Sequence, residues 1–211
     1  MNIGVDVDGV LADVADYQLR IGAPYFKEKF GREIIDPNAF DVRDIFGCTE
    51  KERKKFGWDT LLTYIIHYPA RENSSQAVCK LKNEGNKVFI ITSRVYTTNP
   101  WNFGKLFPSP LKGLLCLLSR TILRDWLRRR RIPYDGIHYC SEHYASDKYS
   151  ACRRYGADVM IEDKAENIIA LSKTMKVICF DAPYNRDCEG ENIYRAHCWD
   201  EVYSLICDME K

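Results

Sequence analysis

No run of apolar residues in this chain reaches the ~18 that a membrane-spanning helix needs. The longest, over residues 111–118, is broken by Lys112 and Gly113, so no spanning helix is expected. Charge of one sign is also missing. Lys and Arg total 31 against 30 Asp and Glu, a net +1; no global field draws in nucleic acid, and no nucleic-acid polymer is expected as a partner. The first residues hold no basic stretch, apolar run and cleavage site, so no signal peptide is expected. There is no internal repeat and no low-complexity tract. The nine cysteines are an odd number and include no CxxC pair. A disulfide framework is therefore not expected, and the reading is a reducing cytoplasm. Cys79, Cys116, Cys140, Cys152, Cys179 and Cys207 fall in helix- or strand-like patterns, where a thiol behaves as a small hydrophobe. Cys188, His197 and Cys198 match no zinc spacing, and a structural role is favoured for them.

What is present is a chain of 211 residues, 45% hydrophobic and 29% charged. That length supports one sizeable core with a small accessory unit. Five β-rich runs cover residues 3–7, 87–92, 136–140, 158–161 and 176–180. They are nearly continuous apolar runs, as strands buried on both faces are. Helical patterns lie between several of them: 74–81, capped by Asn73 or Ser74 and closed by Gly85; 121–130, stopped near Pro133; one opened by Ser146 or Asp147 and ended by Gly156; 165–172; and 200–209. Alternating strands and helices predict an α/β fold, a Rossmann-like parallel sheet flanked by helices. Residues 11–70 read differently. They are helical and aromatic, with turn signals at 36–38 and 46–47, and too long for a simple crossover. A small helical cap inserted after the first strand is the expectation, with 1–12 and 71–211 forming the core and 13–70 the cap.

The densest chemistry lies at the strand ends, where ligands bind in open parallel sheets. The first strand runs into Asp6-Val7-Asp8-Gly9, two carboxylates one residue apart beside a glycine that permits a tight turn. Two carboxylates so close repel unless a cation or a reaction requires them. The second strand ends in Thr92-Ser93, hydroxyls able to donate to an anion, and the fourth in Glu162-Asp163. Lys148, near the start of the preceding helix, can add a positive charge. Carboxylates from two strands suit a hard divalent cation such as Mg²⁺, and hydroxyl and ammonium groups suit a phosphate. Taken singly, each has a plainer reading: an acidic turn capping a helix near residues 11–13, a β-branched strand residue, a solvated helix start.

Taken in order, 6–10, 89–93, Lys148 and 160–163 resemble the four motifs of the haloacid dehalogenase superfamily of phosphohydrolases. A closer resemblance, carried by 5–13, 89–93 and the length of the cap, is to the 5'(3')-deoxyribonucleotidases and their bacterial relatives. The resemblance implies that Asp6 is the nucleophile forming an aspartyl-phosphate and that Asp8 is the general acid and base. It implies Mg²⁺ held by Asp6, the Asp8 backbone carbonyl and Asp163, with Glu162 behind them or ligating through water. Thr92 and Lys148, with Ser93 as the alternative to Thr92, hold the phosphoryl oxygens. The implied activity is a Mg²⁺-dependent phosphomonoesterase on a small phosphorylated substrate, with (deoxy)nucleoside monophosphates as one class. Other readings stay open: a phosphatase of a phosphosugar or surface-polysaccharide precursor, a phosphomutase, or a non-catalytic phosphate binder on the same fold.

Tyr17, Tyr25, Phe26, Trp58 and Tyr64 could stack on a base or sugar, but small helical units need aromatic cores and packing is favoured for most of them. His67 beside Tyr68 reads as a structural or surface pair. Residues 96–131 combine Trp101, Phe103, Phe107, a Leu-rich run and four arginines, Arg128, Arg129, Arg130 and Arg131. Contact of 101–131 with an anionic membrane surface, or with a bulky anionic substrate, is one reading. The favoured one is a loop and a helix that packs Leu123 and Leu127 on the sheet with its arginines in water. It predicts that the protein does not float with anionic liposomes at low salt; flotation at low salt, lost at high salt, would reverse that preference.

Overall fold

Six strands, all parallel, form one sheet in the order β3-β2-β1-β4-β5-β6. The computed structural model describes residues 1–60, 63, 69–94, 109–141 and 145–211, with the side chains at 109, 110, 112 and 145 excepted. The elements run β1 (Asn2–Val5), α1 (Val14–Phe30), α2 (Val42–Phe46), α3 (Glu50–Asp59), α4 (Ser74–Asn83), β2 (Lys87–Thr92), α5 (Ser109–Arg129) and β3 (Gly136–Tyr139). They continue α6 (Ala145–Tyr155), β4 (Val159–Glu162), α7 (Ala165–Ser172), β5 (Lys176–Phe180), β6 (Ile193–Ala196) and α8 (Trp199–Met209). Of the sequence candidates, Tyr64, His67, Tyr68, Trp101, Phe103 and Phe107 lie outside the described residues.

β1, β2, β4 and β5 bury both faces over most of their length, which is why their runs are apolar without alternating. Val88 and Ile90 of β2 join Ile3, Val5, Val159 and Ile161 under α4, α5 and α8, through Val78, Leu81, Leu123, Trp126, Leu127, Trp199, Val202 and Ile206. Ile91, Met160, Val177 and Cys179 face the other way, onto Ala151 and Cys152 of α6 and Ile168 and Leu171 of α7. The fold is thus the expected α/β sheet with helices on both sides. β1 is the point where chain order reverses: β2 and β3 lie to one side, β4 to β6 to the other. Open sheets of this kind form their crevice at that point, beyond the strand ends.

Between β1 and α4, helices α1 to α3 gather Phe26, Phe46 and Phe56 into an aromatic core, with Phe26 stacked on Phe46 at 4.5 Å between centroids. Tyr17 is buried, and its hydroxyl donates to the Thr60 carbonyl. Gly47, at φ 58°, caps α2 where the 46–47 turn signal falls, and Asp36 accepts from the Asn38 amide at the other.

Three details differ from the sequence reading. The helix expected over 121–130 begins at Ser109. Pro110 falls in its first turn, where a missing N–H costs no helical hydrogen bond, so proline and glycine punctuation there does not mean loop. Leu123 and Leu127 are buried as expected, while Leu114, Leu117 and Leu118 are exposed. The cap of α4 is not a side-chain cap: Asn73 sits at φ 58° and donates to Asp200 instead. Strand β6 is additional. Its four residues are mostly half-buried and include Arg195, so the apolar run that marks the other strands is absent.

α8 also ties the sheet to the loop after β1. The buried Trp199 indole N–H donates to the Val10 carbonyl at 3.0 Å. Trp199→Phe keeps most of the ring and strands that carbonyl. The expected loss is about 1–3 kcal/mol, read as a lower urea midpoint with an unchanged slope.

Candidate active site

β1 ends at Val5, and the chain turns at once. The Asp6 amide still donates to the Ile161 carbonyl at 3.1 Å, which keeps Asp6 in register with the end of β4. The loop then closes on itself: the Ala12 and Leu11 amides donate to the Val7 carbonyl, and the Gly9 amide to that of Ala12. Gly9 takes φ 82°, and a Cβ there would lie 1.8 Å from Asp163 Oδ2. Gly9 is therefore required twice, for the turn and for the approach of the Asp163 carboxylate.

Asp6, Glu162 and Asp163 meet at the switch point. One carboxylate oxygen of each lies within 4.8 Å of the others, and all three residues are buried. Lys148 of α6, 1% exposed, reaches into this group. Its ammonium donates to Asp6 Oδ2 at 2.6 Å and to Glu162 Oε2. Alternation along β4 explains the meeting: Met160 faces α6 and α7, and Glu162, two residues on, points the same way. The other Asp6 oxygen accepts from the Val7 amide at 2.8 Å, so both oxygens of that carboxylate are oriented.

Burial pushes the Asp6 carboxyl from an ordinary 3.8 up to about 6, against the pull of Lys148. Burial, then Glu162 and Asp6, raise Asp163 well above the carboxylate range. Burial alone would lower the Lys148 ammonium; Asp6 and Glu162 outweigh it and hold Lys148 above the ordinary lysine value. Three buried carboxyl groups thus gather beside one buried ammonium, which pairs with two of them. This donor set, all oxygen and in excess of its counter-charge, fits a hard divalent cation.

The remaining sequence candidates lie around this group. Thr92 is fully buried at the end of β2, and its hydroxyl oxygen has no hydrogen-bond partner among the described residues, which leaves it available to a ligand oxygen. Ser93 is half-buried beside it. Asp8 is more open, with Arg94 Nε 3.8 Å from its Oδ1. Cys188 is buried and Cys198 exposed, and His197 Nδ1 lies 3.4 Å from Asp181.

Several residues at the site were not singled out from sequence. Arg94, buried, stands next to the second strand end. Arg71 donates to the Gly9 carbonyl at 2.8 Å and covers the Phe180 ring. Tyr184 donates its hydroxyl to Asp163 Oδ2, and the Asn185 amide holds the Asp163 and Phe180 carbonyls at 2.7 and 2.9 Å. Tyr184 and Asn185 follow the fifth strand, so the strand-end rule that found the other residues also covers this loop.

Residues 115–211 match the family described as "5' nucleotidase, deoxy (Pyrimidine), cytosolic type C protein". A nucleotidase of Clostridium acetobutylicum is 27% identical over 207 residues, covering 98% of this chain and 93% of that one. Among solved structures, one described as a predicted phosphatase from Clostridium acetobutylicum superposes with a TM-score of 0.62 at 16% identity, covering 98% of each chain. The D,D-heptose 1,7-bisphosphate phosphatase of B. bronchiseptica, complexed with magnesium and phosphate, gives 0.54 at 12% identity over 99% of this chain and 98% of that one. The two structures agree with this chain in fold. In motif order, sheet topology and relatives the chain is similar to the haloacid dehalogenase superfamily phosphohydrolases, and among them to the 5'(3')-deoxyribonucleotidases.

Proposed function

We propose that this phosphatase cleaves phosphomonoesters through an aspartyl-phosphate on Asp6, with a divalent cation, and that (deoxy)nucleoside monophosphates are its substrate class. The observation that carries this reading is the cluster of Asp6, Glu162 and Asp163, with the first two paired to the ammonium of Lys148. A non-catalytic phosphate binder has no use for three buried carboxylates, because they repel the anion.

Asp6, Asp163 and the Asp8 backbone carbonyl would hold Mg²⁺, with Glu162 retained by Lys148. The cation would neutralise the carboxylates and draw charge from the phosphoryl oxygens. In the first step an Asp6 carboxylate oxygen attacks phosphorus. The Asp6–phosphorus bond forms as the ester P–O bond breaks, and Asp8 gives its proton to the leaving oxygen. In the second step Asp8 takes a proton from water. The water oxygen attacks phosphorus, the bond to Asp6 breaks, and inorganic phosphate and the Asp6 carboxylate are released. The unpartnered Thr92 hydroxyl and the third N–H of Lys148, whose other two are engaged by Asp6 and Glu162, are suited to the phosphoryl oxygens. Ser93 is the alternative hydroxyl.

In this reading residues 13–70 act as the cap that selects the substrate. Phe40, from the inserted segment and half exposed, packs edge-on against Tyr184 at 4.8 Å, and Tyr184 binds Asp163. Nucleotide specificity is supported by the match to the deoxynucleotidase family and by the Clostridium relative. A cytoplasmic location is part of the same proposal.

The protein is expected to hydrolyse p-nitrophenyl phosphate with Mg²⁺. Activity falls to background in Asp6→Asn or in EDTA, and by about 10²–10⁴-fold in kcat for Asp8→Asn. Activity that survives Asp6→Asn removes the nucleophile. Higher kcat/KM on phosphosugars than on deoxynucleoside monophosphates removes the substrate class and leaves the chemistry standing.

The site also sets a pH dependence. Folded Asp6 holds its proton up to about pH 6, whereas the unfolded carboxyl releases it near 3.8. Between those values the folded state binds more protons, so stability falls as pH rises. Urea unfolding in EDTA should show this loss between about pH 4 and 6, and saturating Mg²⁺ should reduce it. Equal curves with and without Mg²⁺ would separate the acidic cluster from cation binding.

A further inference from the structure

A second set of metal-ligating side chains lies where the end of β3 meets the start of α6, the helix that carries Lys148. His138, Cys140 and Asp147 each present a ligand atom within 4.8 Å of the other two. The arrangement follows from the fold. His138 lies in β3 and Cys140 one residue beyond its end, so they share a face. That face is turned toward α6, as the edge contact of His138 with Tyr155 shows. Asp147 stands in the first turn of α6, and one of its oxygens, Oδ2, accepts from the Ser141 amide at 2.6 Å. This bond anchors the carboxylate beside the strand end. Cys140 is fully buried, while His138 and Asp147 are partly open to solvent, which gives an ion a way in.

We propose that His138, Cys140 and Asp147 form a site for a borderline-soft divalent cation of the zinc type, distinct from the oxygen cluster of Asp6, Glu162 and Asp163. One imidazole nitrogen, one sulfur and one carboxylate oxygen, with a water in the fourth position, are the donors and number that Zn²⁺ takes in tetrahedral sites. The sulfur selects against Mg²⁺, which the all-oxygen cluster suits, so the two sites divide the available cations by donor chemistry. Binding forms the metal–sulfur bond as the Cys140 thiol releases its proton to solvent. The ion would sit against the residue that directly precedes Lys148 in the chain, at the start of the helix that carries it.

Co²⁺ titration of the full-length protein in excess Mg²⁺ tests this without reference to turnover. Mg²⁺ occupies the oxygen ligands, and only thiolate ligation yields a sulfur-to-cobalt charge-transfer band in the near ultraviolet. The expected result is a saturable band at one equivalent, displaced by Zn²⁺. It is absent in Cys140→Ser and retained in Cys152→Ser. His138→Gln and Asp147→Asn should weaken binding by about tenfold or more, and these partly exposed positions keep the test decisive if Cys140→Ser does not fold. No band in the parent protein, a band that survives Cys140→Ser, or binding unchanged in both His138→Gln and Asp147→Asn would overturn the site and leave a hydrogen-bonded trio. Phosphatase activity can be absent in every arm without altering the outcome.

Discussion

One buried ammonium organises this molecule. Lys148, brought up by α6, lies between Asp6 at the end of β1 and Glu162 at the end of β4, and neither carboxylate is exposed. Taking such groups out of water costs several kcal/mol per ion unless each is paired and oriented. The surrounding structure supplies the orientation: the Val7 amide on Asp6, the Lys164 amide on Glu162 at 3.0 Å, and Tyr184 on Asp163. Even so, among the described residues one ammonium stands against a cluster of three carboxyl groups, and burial and mutual repulsion hold two of these above their ordinary pKa. That imbalance is the strongest physical argument for a cation at the site, and it is carried by the chain's own residues.

The loop after β1 shows how the fold serves the same constraint. Three elements far apart in sequence hold it: Arg71 ahead of α4 on the Gly9 carbonyl, Trp199 of α8 on the Val10 carbonyl, and Asp163 filling the space that Gly9 leaves without a side chain. A turn held from outside leaves Asp8 little freedom of position. It also lets an inserted segment of helices leave and re-enter the core without loosening the strand end, because Ala12 and Ala70 form a bridge where the segment begins and ends.

Much of this was legible in the chain. The apolar runs at 87–92 and 176–180 coincide with β2 and β5, and 165–172 with α7. Buried parallel strands have no polar face to dilute the pattern, and that makes them readable. Edge strand β6 lacked that signature because Arg195 turns toward Asp181 and the Asn185 loop instead of the core. The start of α5 was hidden for a different reason. Local punctuation by proline and glycine suggests a break, yet a helix accepts proline in its first turn. At the site, residue types and strand-end positions pointed to Asp6, Asp8, Thr92, Lys148, Glu162 and Asp163. Arg71, Arg94 and Asn185 carried no local signal, since an arginine or asparagine in a loop is ordinary until its partners are known.

The sequence by itself determined the alternation of strands and helices, the acidic pair after the first strand, and the order in which hydroxyl, lysine and carboxylate groups follow. These are local properties, written in periodicity and spacing. Only the tertiary structure decided that Lys148 meets Asp6 at a sequence separation of 142, that Asp163 fits against Gly9, and that His138, Cys140 and Asp147 come together. Those contacts depend on sheet order and on which face each side chain takes. Neither can be read from a stretch of chain alone, because both are set by packing among elements that are distant in sequence.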